Sequence, residues 1–201
     1  MGKELEYKLA VADEPLLLQI LRDPDIAALQ EGEIQTTVMK TDYYDSPDRR
    51  FSARKWTFRR RLEGNTSIVC VKTPTGERHT RGEWQIEAQT PDAQAVCRLV
   101  AAGAPKELLY LYGAGDVAPV CGAAFRRRHV MLRFSDGSRA ELAGDCGELF
   151  GAHERLSFTE LELELYEGTP EQMLALVRLL CERYRLHEQL RSKVARARAL
   201  K

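Results

Sequence analysis

Charged and apolar side chains alternate with a period of two in one predicted strand after another, and this pattern restricts the possible folds most strongly. The segment "ELELEL" (160–165) places three glutamates on one face and three leucines on the other. The segment "KELEYKLA" (3–10) does the same with Glu4, Glu6 and Lys8. Because successive side chains of a β-strand point to opposite faces, each segment predicts a strand with one apolar and one charged face.

The charged faces carry like charges in rows. Glu160, Glu162 and Glu164 would repel one another unless a cation lies among them, and Arg59 and Arg61 would repel unless an anion does. The same alternation assigns further charged residues to such faces, namely Lys72, Arg81, Glu83, Arg126, Arg128, Glu141 and Asp145. By this phase Arg127 points to the opposite face, unless a β-bulge in "FRRRHV" exchanges it with its neighbours.

Two folds are compatible with this pattern. An open sheet would expose the charged faces to water. Eight antiparallel strands could instead close into a barrel around a small ligand, with the charges inside and helices covering the apolar outer faces. Such a lumen suits a phosphate chain, because Arg and Lys bind its oxygens and carboxylates bind bridging divalent cations. The alternation alone leaves both folds open.

The sequence predicts about eight strands in total, with helices inserted between groups of these strands. We therefore predict an α+β fold in a single domain spanning residues 1–201. Hairpin turns are predicted at "EGN" (63–65) and "SDGS" (135–138). One helix is predicted from a capping box, Thr169 to Gln172, with Pro170 at its first position. A final basic helix is predicted over residues 187–200.

Composition excludes several classes of function. Thirty basic and thirty acidic residues give a net charge of zero, which weighs against binding to nucleic acid through bulk charge. The five cysteines and four histidines are scattered, so no thiolate or histidine zinc site is predicted. No apolar run has the length of a membrane span, and the first residues do not form a signal-peptide core. We therefore expect a cytoplasmic protein with reduced thiols and without membrane or nucleic-acid partners.

The ordered motifs resemble those of a known family. Residues 4–8, "ELEYK", resemble the E-x-E-x-K signature that opens the CYTH domain, the fold of the triphosphate tunnel metalloenzymes. Similar motifs follow in the family's order along almost the whole chain: "YYDSPD" (43–48), "FRRR" (58–61), "VKT" (71–73), "RGE" (81–83), "ELAGDCGEL" (141–149) with Asp145, "ELELEL" (160–165), and "SKVAR" (192–196) with Lys193. The acidic strands look most like those of bacterial inorganic triphosphatases.

The resemblance implies a closed eight-stranded antiparallel tunnel with helices outside and a C-terminal helical segment. It also implies hydrolysis of a triphosphate, first of all inorganic triphosphate, with Mg²⁺ or Mn²⁺. Applied to this chain, it suggests a catalytic set of Lys8, Glu4, Glu6 and Arg59. The expected triphosphate-binding residues are Lys8, Arg59, Arg61, Lys72, Arg81, Arg126, Arg128 and Lys193. The expected metal ligands are Glu4, Glu6, Glu160 and Glu162, followed by Glu83, Asp145 and Glu164.

Other functions remain open on the same fold. A class IV adenylyl cyclase or a thiamine triphosphatase would need only a few different side chains, and a homodimer is possible in any of these cases. A non-catalytic polyphosphate- or nucleotide-binding module is disfavoured because both basic residues and metal-binding carboxylates are present. No Ser, Cys or His stands out as a covalent nucleophile, so direct attack by water is expected. Lys193 could also be an ordinary polar residue of a terminal helix.

Overall fold

The computed structural model describes residues 3–113 and 115–200 of the chain. Within them, the strands are β1 (Lys3–Ala10), β2 (Gln30–Asp45), β3 (Thr57–Glu63), β4 (Thr66–Pro74), β5 (Thr80–Glu87), β6 (Ala118–Arg133), β7 (Arg139–Phe150), β8 (Arg155–Glu167) and β9 (His187–Glu188). The helices are α1 (Glu14–Ile20), α2 (Pro24–Leu29), α3 (Arg50–Ala53), α4 (Ala93–Ala101), α5 (Glu107–Tyr112), α6 (Glu171–Tyr184) and α7 (Lys193–Ala197).

Eight of the strands form a closed antiparallel barrel. They are hydrogen-bonded in the order β5-β4-β3-β2-β6-β7-β8-β1, and β1 pairs back onto β5 through Glu4 opposite Arg81 and Leu5 opposite Thr80. Beyond Leu5 the same edge of β1 is taken by the short strand β9, where Leu9 lies opposite Glu188. The predicted closed eight-stranded barrel is therefore confirmed.

The apolar strand faces point outward and are covered by helices. Leu161 and Leu163 of β8 are fully buried under α1 and α6, in a cluster that includes Leu17 and Leu180. A second cluster packs α4 and α5 onto β3 and β4, where Phe58 is fully buried. Burying such side chains contributes about 1.5–3 kcal/mol each. Since the leucines of "ELELEL" are held outside, its glutamates must face the barrel interior.

Two helix predictions near the C-terminus need correction. Helix α6 begins at Glu171 with no side-chain cap, because its N-cap residue is Pro170, which has no side-chain acceptor. The side chain of Gln172 donates to the hydroxyl of Ser135 in the "SDGS" turn, at 2.9 Å. The predicted basic helix over 187–200 is reduced to α7, which is capped by Ser192. Residues 187–188 are extended instead, because the open edge of β1 offers their backbone hydrogen bonds.

The turn after β2 is built around a buried carboxylate. The side chain of Asp45 accepts backbone N–H bonds from Ser46, Phe51 and Ser52 at 3.0–3.1 Å. It thereby fixes α3 against the end of the barrel. It also sets the path of the chain through Lys55 into β3.

Candidate active site

The barrel encloses a cavity of about 660 Å³ whose walls are the inward strand faces. Most residues that the sequence predicted for the site line this cavity: Glu4, Glu6, Lys8, Arg59, Arg61, Lys72, Arg81, Glu83, Glu162, Glu164 and Lys193. Asp145 and Glu160 lie fully buried behind the wall, in contact with Lys193. The structure thus brings most of the predicted residues together, while their roles in binding and catalysis remain predictions.

Three carboxylates from three strands face one another in this cavity. Oxygen atoms of Glu4, Glu83 and Glu164 all lie within 4.8 Å of one another, and we call these residues the outer carboxylate cluster. The ammonium group of Lys72 donates to both oxygens of Glu4 at 2.7 Å and lies 3.1 Å from Glu83. Among the described side chains, none forms a salt bridge with Glu164 within 4.0 Å.

The protonation of the outer carboxylate cluster is uneven. Burial, with a further contribution from the carboxylate of Glu4, raises the pKa of Glu164 to about 8. Burial also raises the pKa of Glu4 to about 7, although Lys72 opposes the shift. At Glu83, burial acts in the same direction, but the charges of Lys72 and Arg59 outweigh it and hold the pKa well below its usual range. The cluster therefore contains too little positive charge to keep all three groups ionised near neutral pH.

This donor set fits a hard divalent cation. Mg²⁺ and Mn²⁺ prefer carboxylate oxygens, and the raised pKa values of Glu4 and Glu164 mark a place where a cation would be stabilised. Glu6 lies opposite Glu164 in the β1–β8 register and lines the same cavity, but its carboxylate contacts Lys8.

A second group of carboxylates already surrounds a cation from the protein. The ammonium group of Lys193 contacts Glu160 and lies 2.7 Å from Asp145 and 2.8 Å from Glu162. We call these three carboxylates the inner carboxylate cluster. They were predicted as metal ligands, but an ion at this place would have to displace Lys193. Burial lowers the pKa of Lys193, but Asp145, Glu160 and Glu162 outweigh burial and hold it well above its usual range.

The inward arginine of β6 is Arg127, so the prediction that Arg126 and Arg128 face the tunnel is wrong. Arg127 is buried, and its guanidinium group donates to both oxygens of Asp145 at 2.8 and 2.7 Å and to Glu162. Arg126 and Arg128 point outward and donate to Glu14 of α1 at 3.4 and 2.7 Å. Three consecutive arginines contain no apolar residue that would fix the phase of alternation.

The register of the β6–β7 hairpin could have identified Arg127. The strands turn at "SDGS", and Arg133 lies opposite Arg139. Six residues further along each strand, Arg127 lies opposite Asp145. Residues directly opposite in an antiparallel pair share a face. Because Asp145 was assigned to the interior, the turn position already placed Arg127 there.

An aromatic ring underlies the deep cations, and alternation did not identify it. Phe125 is buried, with the guanidinium carbons of Arg61 and Arg127 both 5.9 Å and the ammonium group of Lys193 5.0 Å from its ring centre. Such cation–π contacts hold positive charges close together. Burial, with Arg59 and Arg127 adding to it, lowers the pKa of Arg61. Among the cations around Phe125, Arg61 would therefore be stabilised most by a bound anion.

Comparison with known proteins identifies the family. Residues 2–197 match the CYTH domain. The chain belongs to the CYTH domain family. An inorganic triphosphatase of Haemophilus influenzae is 26% identical over 186 residues, which are 90% of this chain and 50% of that protein. This CYTH domain therefore spans about half the length of the curated relative that it matches.

Solved structures share the fold at low sequence identity. HpAC1 of Hippeastrum, described as an adenylyl cyclase candidate with a dominant triphosphatase activity, is 19% identical, with a TM-score of 0.58 and coverage of 99% and 96% of the two chains. A Bacillus halodurans protein, described as a candidate adenylate cyclase, is 12% identical, with a TM-score of 0.59 and 98% coverage of both chains. Neither likeness says more about the CYTH domain than its fold.

None of the described helices of this chain has the length and apolar character needed to cross a membrane.

Proposed function

We propose that this CYTH domain hydrolyses the terminal phosphoanhydride bond of a triphosphate, with inorganic triphosphate as the first candidate substrate. One observation carries the proposal: the cavity inside the barrel presents a row of Lys and Arg side chains together with the outer carboxylate cluster. The similarity to an inorganic triphosphatase supports the same reaction. A small triphosphate, rather than a macromolecule, suits a cavity of about 660 Å³ inside a barrel.

The cations of the cavity would hold the phosphate chain. Arg59, Arg61 and Arg127 present planar guanidinium groups that can bind two phosphate oxygens at once, and Lys8 and Lys72 add point charges. They come from β1, β3, β4 and β6, so they surround the chain rather than bind it from one side. Such groups stabilise the charge that spreads over the transferred phosphoryl group.

The carboxylates complete the site. Glu4, Glu83 and Glu164 would hold Mg²⁺ or Mn²⁺, which when bound neutralises phosphate charge and lowers the pKa of a coordinated water. Glu6 contacts Lys8 and would orient its ammonium group toward the phosphates. Each of these side chains lies on a strand of the closed barrel, which fixes its position.

Direct attack by water is the step that the cavity favours. Cys70 is the cysteine nearest to the outer carboxylate cluster, with its sulfur donating to Glu83 at 3.0 Å. Burial raises the pKa of the Cys70 thiol to about 12, although Arg59 opposes the shift, so the thiol stays protonated. A protonated thiol is a poor nucleophile, and an intermediate on Cys70 is not expected.

The test is phosphate release from inorganic triphosphate, ATP and thiamine triphosphate, each with Mg²⁺, with Mn²⁺ and with EDTA. We expect metal-dependent release, fastest with inorganic triphosphate. Arg59→Gln should lower kcat/KM at least about a hundredfold, because it removes a buried charge from the transition state. Lys40→Ala, which removes a charge from the exposed outer face of β2, serves as the control and should leave the rate unchanged.

Two results would contradict the hydrolase assignment, and a third would change its substrate. Binding of triphosphate without release of phosphate would indicate a binding module. Formation of cyclic AMP from ATP would indicate a cyclase. Release that is fastest with thiamine triphosphate would retain the reaction type and change the substrate.

A further inference from the structure

The cavity wall carries a histidine that the predicted phase of β6 places outside. Because Arg127 points into the barrel, His129, two residues further along β6, shares its face and lines the same cavity. The Nδ1 atom of His129 lies 3.1 Å from a carboxylate oxygen of Glu141 on β7. Among the described residues, none forms a hydrogen bond with its Nε2 atom. The His129–Glu141 pair therefore leaves the second ring nitrogen available to a ligand in the cavity.

Glu141 fixes the tautomer of this histidine. An ionised carboxylate only accepts hydrogen bonds, so its contact with Nδ1 requires that this nitrogen carry the proton in a neutral imidazole. The Nε2 atom is then a hydrogen-bond acceptor. A carboxylate partner at one ring nitrogen also fixes the orientation of the ring. The other oxygen of Glu141 lies 3.7 Å from the guanidinium group of Arg127, so both of its oxygens have partners.

The His129–Glu141 pair lies between the two halves of the proposed site. Glu141 is directly opposite Glu164 of the outer carboxylate cluster in the β7–β8 register, and such residues have Cβ atoms about 4.5–5.5 Å apart. On the other side, Arg127 is about 6.6–6.8 Å from His129 along the same strand face. A phosphate bound by Arg127 and a water beside Glu164 would therefore flank the imidazole.

The groups around the imidazole come from its own strand and from the strands on either side. Burial, with the charges of Glu141 and Glu164 adding to it, raises the pKa of Tyr166 to about 12, so the phenol of Tyr166 keeps its proton and is no base. The charged or titratable groups on these strands are Arg127 on β6, Glu141 on β7, and Glu162, Glu164 and Tyr166 on β8, while β2 contributes the uncharged Gln35 directly opposite.

Other side chains of the cavity are poorly suited to accept a proton from water. Burial acts to lower the pKa values of Lys8 and Lys72, but neighbouring carboxylates outweigh it and raise both, so these ammonium groups keep their protons. The pKa of Glu83 is held well below its usual range, which makes Glu83 a weak base. Glu4 and Glu164 are assigned to the divalent cation of the proposed site. A neutral imidazole, by contrast, is the commonest general base near neutral pH.

We propose that His129 is the general base of triphosphate hydrolysis and that Glu141 positions it. The proposal rests on the proposed function and supplies the proton acceptor that direct attack by water requires. As the water oxygen bonds to the terminal phosphorus, Nε2 of His129 takes a proton from that water, and the bond from this phosphorus to the bridging oxygen breaks. The electron pair of that bond leaves on the bridging oxygen of the departing diphosphate. The imidazolium then returns its proton to solvent.

The first test compares phosphate release by His129→Ala and by the wild type at saturating Mg²⁺. We expect kcat/KM to fall at least about a hundredfold, as is typical for loss of a general base. The affinity for inorganic triphosphate, measured by calorimetry in EDTA, should stay within about twofold, because a neutral imidazole adds no charge to the phosphate site. Added imidazole should restore part of the rate in proportion to its neutral form, since only that form accepts a proton.

Three further variants separate the role of a base from that of a cation. His129→Lys keeps a protonated group at this place, so it should be as slow as His129→Ala. Glu141→Gln keeps a hydrogen-bond acceptor without the charge and should lower kcat/KM about tenfold, as loss of a positioning partner does. His153→Ala removes an exposed histidine from the loop between β7 and β8 and should leave the rate unchanged.

A second measurement does not depend on turnover. Nuclear magnetic resonance of ¹⁵N-labelled imidazoles in EDTA reports which ring nitrogen of His129 carries the proton. We expect the Nδ1–H form in the wild type and a mixture of both tautomers in Glu141→Ala. A wild-type Nε2–H form would overturn the proposal even in an active enzyme, because Nε2 would then have no lone pair for the proton of water.

The outcomes distinguish this inference from the proposed function. No phosphate release by the wild type would overturn the hydrolase and the general base together. Release by the wild type with an equal rate in His129→Ala, or with full activity in His129→Lys, would overturn only His129 as the base. Rescue that follows the imidazolium form, or a triphosphate affinity that falls in parallel with kcat/KM, would instead assign His129 to phosphate binding and leave hydrolysis intact.

Discussion

Arg127 joins the two strands that carry the inner carboxylate cluster. Its guanidinium group binds Asp145 on β7 and Glu162 on β8, both of which are buried. Burial acts to raise the pKa of Glu162, but Lys193 and Arg127 outweigh burial and hold this pKa well below the usual range. The two carboxylates are therefore charged only as long as these cations remain.

Replacement of Arg127 by Gln should consequently affect both stability and activity. Removing one member of a buried ion pair costs about 3–5 kcal/mol, and here Asp145 and Glu162 would keep Lys193 as their close cation. We expect a lower free energy of unfolding by about this amount in urea denaturation, and a fall in kcat/KM of at least about tenfold. Arg126→Gln, one residue away on the outer face, should change either quantity only slightly. Equal effects of the two substitutions would contradict the placement of Arg127 inside the tunnel.

At the scale of single residues, the sequence predicted which residue types meet but not every orientation. Alternation placed Glu4, Lys72 and Glu162 on the cavity wall because apolar residues on either side fixed the phase. It failed at Arg126 and Arg128, where charged residues are consecutive. The pairing of Lys72 with Glu4 was not predictable either, since it depends on the closure of β1 onto β5.

Helix α7 places one charge at the centre of the inner carboxylate cluster. The helix has only five residues, and its first residue, Lys193, is buried among Asp145, Glu160 and Glu162. So short a helix is not stable by itself. Its position depends on this salt bridge and on Val194 and Ala197, which pack in an apolar cluster with Phe125.

Lys193→Ala should therefore loosen the whole of α7. We expect a loss of stability of about 3 kcal/mol at pH 8, and faster amide hydrogen exchange through Lys193–Ala197. Because the carboxylates of the inner carboxylate cluster can take up protons when Lys193 is absent, the loss of stability should become smaller toward pH 5. Lys193→Met, which keeps the length of the side chain without its charge, should behave in the same way. Wild-type exchange rates in α7 of both variants would show that the charge does not hold the helix.

The elements themselves were predictable to different degrees. The strands were recognisable because charge alternates with apolar residues, and the hairpins because their turns contain Gly, Asn or Asp. The final helix was overpredicted, since residues 187–188 have a helix-compatible composition but meet an unpaired edge of β1. Such tertiary hydrogen bonding cannot be read from local sequence.

For the whole molecule, closure of the barrel was decided by the resemblance rather than by alternation, which is equally compatible with an open sheet. Closure joins β1 to β5, and β1 also pairs with β8, which is distant in the sequence. The consequence is that four acidic residues from distant parts of the sequence, Glu4, Glu6, Glu83 and Glu164, share one cavity. The stability of the barrel should therefore depend on pH.

The metal-free barrel should lose stability as the pH rises from about 6 to about 9. The pKa values of Glu4 and Glu164 in the folded state are raised to about 7 and about 8. A group whose folded pKa is raised contributes stability below its unfolded value, near 4.3, and loses that contribution as the pH passes its folded pKa. A loss of about 2 kcal/mol would lower the Tm of a chain of this length by roughly 4–8 °C.

The measurement is thermal unfolding in EDTA at several pH values, followed by circular dichroism. Glu164→Gln should show a smaller decline, because the group with the higher pKa no longer ionises. Addition of Mg²⁺ should also reduce the decline in the wild type, since a bound cation favours the ionised carboxylates. A Tm that rises between pH 6 and pH 9 in EDTA would contradict the assigned pKa directions.

The pairing of Lys72 with Glu4 and Glu83 has a consequence for how ligands would enter. A phosphate chain that recruits Lys72 deprives both carboxylates of their counter-ion, and a divalent ion that recruits the carboxylates sets Lys72 free. Each ligand would thus release the protein groups that bind the other ligand. Linkage requires the effect to be reciprocal: triphosphate would tighten metal binding by the same factor by which metal tightens triphosphate binding. The tunnel would fill cooperatively, because each bound ligand raises the affinity for the other.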